Sequence, residues 1–130
     1  MIPQVIHFIM CDRAFHDPRN FHRLVVNGLQ LRLRARQPPP VYHNFCALAV
    51  MVGFAGAGEM WLQVVEQTTG QLMFRSRRHS VRFPTNLEEV FGFRLQMNRC
   101  PLRRYGRYRV ELRLNDDIIA TRPFWLLPRA

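Results

Sequence analysis

Lysine is absent from this chain. All 19 basic residues are arginines, set against 9 Asp and Glu, and the formal charge is +10. A GC-rich genome that favours arginine codons accounts for this blandly. A demand for planar guanidinium groups, which grip phosphate or carboxylate through two parallel bonds, accounts for it functionally. Long hydrophobic runs are missing too: the longest, Phe45 to Ala57, falls short of the roughly 20 residues a membrane helix requires. The N-terminus has no basic segment ahead of its apolar stretch, and Val5 to Met10 is too short for a signal core. A soluble, cytoplasmic protein without membrane attachment is expected.

Cysteine is scarce, and its spacing is uninformative for metal or disulfide chemistry. Cys11, Cys46 and Cys100 are odd in number and widely separated, with no CxxC pair, which points to reduced, buried thiols. His7, Cys11, Asp12, His16 and His22 fall close together, yet no pair has zinc-ligand spacing. A Cys11 nucleophile would need an orienting group and an oxyanion hole that no motif supplies. Asp12, at a strand end, is better placed to accept bonds from loop amides or to pair with Arg13 or Arg19. The glycine-rich stretch Gly53-Phe-Ala-Gly-Ala-Gly58 lacks the lysine and the helix start of a phosphate loop. No catalytic residue, cofactor or metal is predicted, and an enzyme ranks behind the binding functions.

What the sequence has is strand periodicity. Gly106 to Trp125 reads as a β-hairpin, with Tyr108, Val110, Leu112 and Leu114 on one face and Arg107, Arg109, Glu111 and Arg113 on the other. Gln4 to Cys11 is apolar on both faces and suits a central strand. Cys11 to Asn20 reads as a loop, Phe21 to Val26 as a strand, and Asn27-Gly28 as a hairpin turn. Leu29 to Arg36 alternates, with Leu29, Leu31, Leu33 and Ala35 inward, until Pro38-Pro-Pro40 stops it. Tyr42 to Phe54 is read as a strand buried on both faces in preference to a helix. Met60 to Glu66, Gln71 to Arg77 and Phe91 to Asn98 follow as strands, with a loop at Cys100-Pro101. Chain length and composition fit one folded domain over residues 1–130. The expected fold is all-β, an antiparallel immunoglobulin-like sandwich of about eight strands.

Two segments carry a resemblance. Phe8-Ile-Met-Cys-Asp12 ends the first strand, and Gly106-Arg-Tyr-Arg-Val110 with Arg122-Pro-Phe124 forms the last two. In these the chain resembles a family of small, uncharacterised bacterial single-domain β-sandwich proteins. The resemblance implies the fold and transfers no catalytic residue. Residues 13 to 40 depart from that pattern.

Two surfaces are candidates for binding. Arg32, Arg34 and Arg36 form one outward ladder, and Arg107, Arg109 and Arg113 another. Like charges side by side destabilise a sheet, so these ladders call for an anionic partner. The second candidate is the spare face of the Tyr42 to Phe54 strand. Either Phe45, Ala47, Ala49 and Met51 or Cys46, Leu48, Val50 and Val52 would be left outside the core. Such a patch marks an interface unless a loop such as residues 78 to 90 covers it. Cys46, Leu48, Val50, Met51 and Val52 are therefore the candidate apolar interface. The expected function is a non-enzymatic binding or scaffolding subunit. It would dock an acidic protein, or its own copy, through an apolar strand face rimmed by arginines. The alternative is a nucleic-acid-binding module using the arginine ladders.

Overall fold

The computed structural model describes residues 2–30 and 32–129, excepting the side chains of Phe21 and His22. Leu31 and the His22 side chain, both singled out above, lie outside the described residues. The described chain is all-β, with strands β1 (Gln4–Asp17), β2 (Asn20–Leu29), β3 (Leu33–Ala35), β4 (Val41–Val52), β5 (Gly56–Glu66), β6 (Leu72–Arg75), β7 (His79–Phe83), β8 (Phe91–Leu102), β9 (Gly106–Leu114) and β10 (Asp117–Pro128). They form a four-stranded sheet, β2-β1-β4-β8, and a six-stranded sheet, β3-β10-β9-β5-β6, with β7 also on β5. The strand count exceeds the expected number because β5 carries two short partners along one edge. β7 pairs with Gly56 to Met60 and β6 with Gln63 to Val65.

Alternation sets the core. The inward residues of β4 (Phe45, Ala47, Ala49, Met51) and β8 (Leu95, Met97) meet those of β5 (Met60, Leu62, Val64) and β9 (Tyr108, Val110, Leu112, Leu114). Phe124 and Leu126 of β10 complete this layer. Each fully buried large side chain contributes about 2–3 kcal/mol relative to exposure.

The N-terminal third departs from expectation. β1 does not end at Cys11 but continues to Asp17, and the chain turns at Pro18-Arg19. The turn is closed by the Arg19 amide, which donates to Asp17 Oδ1 at 2.8 Å. Proline fixes φ and the aspartate mimics a backbone acceptor, so this short segment does what a longer loop was expected to do. Asn27-Gly28 is not a turn. Gly28 lies within β2 at φ +67, where an added Cβ would sit 2.1 Å from Asp12 Oδ2. The glycine is needed for close approach to Asp12, whose Oδ1 accepts from Gln30 Nε2. The expected strand from Leu29 to Arg36 shrinks to β3, with Leu33 and Ala35 buried and Arg34 exposed. Cys100-Pro101 is strand rather than loop, since β8 is a sheet edge, where proline's missing donor is tolerated.

A second apolar cluster lies on the other side of the four-stranded sheet. Cys11, Ala14, Cys46 and Leu48 are buried there, with Ile9, Leu24, Val26 and Val50 packed against them. The distal half of β1 and its partner β2 form an arm that reaches across β4 to β8. Arg94 Nη1 donates to the Ala14 carbonyl at 2.6 Å. A Cβ on Gly92 would meet Leu24 Cδ1 at 2.9 Å. This arm is why β4 is apolar on both faces.

Candidate functional site

The proposed apolar interface is not an open surface. Cys46 is 1%, Leu48 4% and Met51 0% exposed. Val50 and Val52 are half-buried. Met51 faces the main core, and Cys46 and Leu48 lie under the β1–β2 arm. The cover comes from residues 12 to 29 rather than from residues 78 to 90, because the long β1–β2 hairpin takes the place of the loop expected after Cys11.

Of the first arginine ladder, Arg34 shares one face with the second ladder. In β9, Arg107 pairs with Trp125 of β10 and Arg109 with Pro123. In β3, Arg34 pairs with Leu127 of the same strand. Tyr108, Val110, Leu126 and Leu33 point inward, so Arg34, Arg107, Arg109 and Arg113 share the outer face of the six-stranded sheet. Between them β10 lays an outward stripe of Pro123, Trp125 and Leu127. Trp125 is 46% exposed, and the Arg107 guanidinium lies 5.8 Å from its ring centroid, within cation–π reach. Arg34 Nη1 donates to the Pro128 carbonyl at 3.1 Å. Arg32 and Arg36 flank β3 and are exposed.

Beside this stripe the face dips into an open concavity of about 400 Å³. Its floor is Trp61, Gln63 and Val65 of β5, and its walls include Arg75, Arg78, Arg109 and Arg113. Arg78 lies 4.2 Å and Arg113 5.8 Å from the Trp61 ring. Glu111 is 4% exposed. It accepts from Gln63 Nε2 at 2.6 Å and from Arg109 Nε at 2.8 Å. This buried carboxylate relieves repulsion along β9, an arrangement the alternation pattern alone did not reveal. Asp116 also lines the dip, so four arginines face two carboxylates. Two buried donors in it, Trp61 Nε1 and Arg113 Nε, have no hydrogen-bond partner among the described residues. Neither group can accept, and an acceptor from outside would satisfy them.

Trp61 was missed from sequence. The available signal was Gln63, polar within the apolar run of β5.

The histidine and cysteine constellation does not converge. His7 and His16 are exposed, whereas Cys11 is buried opposite Cys46. Among the described residues, no three His, Cys, Asp or Glu side chains are grouped to hold a metal. Burial, reinforced by the neighbouring Cys46, pushes the Cys11 thiol up to about 11, and burial alone pushes Cys100 up to about 12. At pH 8 roughly one Cys11 in a thousand is then thiolate, the nucleophilic form. The native protein is expected to resist iodoacetamide at pH 8 and to take up three labels once denatured. Rapid native labelling of Cys11 would contradict this burial.

No helix of the described residues is long and apolar enough to cross a membrane. No curated protein matches the chain. A family model does match, over residues 6–126, a span that includes every strand of both sheets in whole or part. The chain belongs to this family, which is described as a family of unknown function (DUF6941).

Proposed function

We propose that this protein is a non-enzymatic docking subunit with an immunoglobulin-like sandwich fold. It binds an acidic protein partner through the outer face of its six-stranded sheet. The fold reading rests on topology. β1-β4-β8 and β5-β9-β10 match the A-B-E and C-F-G groupings of such sandwiches. Tyr108 Oη also donates to the Arg104 carbonyl at 2.6 Å, as a tyrosine corner does.

The function reading rests on one observation: an exposed apolar stripe on β10 runs between arginines of β3 and β9 on a single face. That is an apolar strand face rimmed by arginines, on β10 rather than β4. An aromatic anchor beside arginines is the composition of interface hot spots. A net charge of +10 disfavours a second copy of the chain and favours an acidic partner. The concavity at Trp61 would accept a carboxylate from that partner. A second reading has support from the same stripe, since Trp125 beside Arg107 offers a stacking platform for a single-stranded nucleic acid.

The two separate in one titration. A peptide of alternating Glu and Leu, poly-glutamate of equal charge, and oligo-dT of equal charge are compared by fluorescence. Docking predicts that the alternating peptide binds tightest. Trp125→Ala should weaken it by about tenfold, the loss expected of a modest hot spot. Preferential oligo-dT binding, lost with Trp125→Ala and steeply salt-dependent, would favour nucleic acid.

A further inference from the structure

We propose that the open end of the core, between β3 and β4, is a second binding site. It would take a small organic oxyanion, a carboxylate or phosphate carried on an apolar body. A pocket of about 530 Å³ opens there, within the range of small-molecule sites, roughly 300–1,000 Å³. Among the described residues, three arginines line it, Arg34, Arg36 and Arg99, and no carboxylate does. The cradle at Trp61, by comparison, contains two acids of its own. Leu33 and Leu126 supply an apolar floor. The site therefore pairs concentrated positive charge with a greasy interior.

Two of its polar residues, Arg99 and His43, are positioned by contacts within the protein. β4 and β8 lose register between His43 and Phe45, an irregularity of the kind that re-aims side chains. Opposite it, Arg99 holds φ +54, a backbone conformation that arginine seldom adopts and that collects at functional sites. The Arg99 amide donates to Asn44 Oδ1 at 2.6 Å, which anchors that conformation. The Arg99 guanidinium lies 5.1 Å from the centroid of the Tyr42 ring. His43 stacks on Phe45, with centroids 6.4 Å apart, and its Nε2 is buried with no hydrogen-bond partner among the described residues. Burial lowers the His43 pKa, against an opposing pull from the Asp12 carboxylate. A neutral ring protonated at Nε2 donates there, and a ligand oxygen is the acceptor it lacks. Guanidinium groups bind both carboxylate and phosphate in a forked geometry.

The site is separable from the docking face. Arg34 borders both, but Arg99 and His43 are not on the docking face, and Trp125 and Arg109 do not line the pocket.

Phenyl phosphate is the probe. Its titration is followed by NMR of the arginine Nε–H and histidine ring signals, with calorimetry for affinity. Saturable shifts at Arg99 and His43 are expected. Binding should be about tenfold tighter than for inorganic phosphate or benzyl alcohol, each of which offers half of the chemistry. Arg99→Gln and Arg36→Gln should each weaken it by about tenfold, the equivalent of one charge-assisted hydrogen bond. Arg36 is exposed, so its replacement leaves melting unchanged and guards against an Arg99→Gln variant that fails to fold. Within the supported outcome, benzoate matching phenyl phosphate identifies general oxyanion recognition, and benzoate failing identifies phosphate. Shifts that do not saturate or that spread over all arginines would overturn the proposal. So would equal binding of benzyl alcohol, or affinity unaffected by Arg36→Gln.

Discussion

A Met51→Asp variant is expected to be recovered unfolded. Met51 is 0% exposed and faces the layer between the sheets. That layer is apolar, so an aspartate there is either ionised in a low-dielectric surrounding or protonated against its ordinary pKa. Losing the methionine's own burial adds about 2 kcal/mol or more. The sum exceeds about 5 kcal/mol, at the low end of the stability of a domain this size. Far-ultraviolet circular dichroism and solubility report the outcome. A folded Met51→Asp protein with altered assembly would return β4 to the role of an interface and contradict the packing described above.

The second large effect concerns the arm. Leu24→Asp puts a carboxylate on β2 where Leu24 packs over Gly92 and joins the cluster of Cys11, Ala14, Cys46 and Leu48. Leu24 is only half-buried, so a destabilisation of about 2–3 kcal/mol is expected rather than global unfolding. The loss should be local. The β1–β2 arm should lift while the main core persists, because the two clusters share no buried residue. Cys46 should then react with iodoacetamide under native conditions, and the uncovered apolar face should drive concentration-dependent association. Cys100 belongs to the main core and serves as the internal control. Unchanged Cys46 protection would mean that β4 is shielded by something other than the arm.

Particular segments show how far the sequence could be read. β9 was legible because strict alternation makes its inner face apolar and its outer face charged at every position. β4 was legible as a strand, but its second face was not. A residue buried by a hairpin's own fold-over gives the same apolar signal as one buried by a partner molecule. Asn27-Gly28 misled because its turn signature assumes that glycine's positive φ serves a reversal. Here it serves contact with Asp12, about which local sequence is silent. The two arginine ladders lie more than 70 positions apart. The parallel pairing of β3 with β10 is what brings Arg34 of the first to the face of the second, and no periodicity encodes that long-range contact. Trp61 was hidden for a similar reason. It belongs to a run of buried β5 residues, and the guanidiniums that frame it come from β9 and from the segment between β6 and β7.

The most direct test of the docking face is an amide chemical-shift map of the protein with the alternating Glu-Leu peptide. The account predicts saturable perturbations on β3, β9 and β10, centred on Arg34, Arg107 and Trp125, with the β1–β2 arm unaffected. Perturbations centred on that arm, or no saturable binding at low salt, would contradict it.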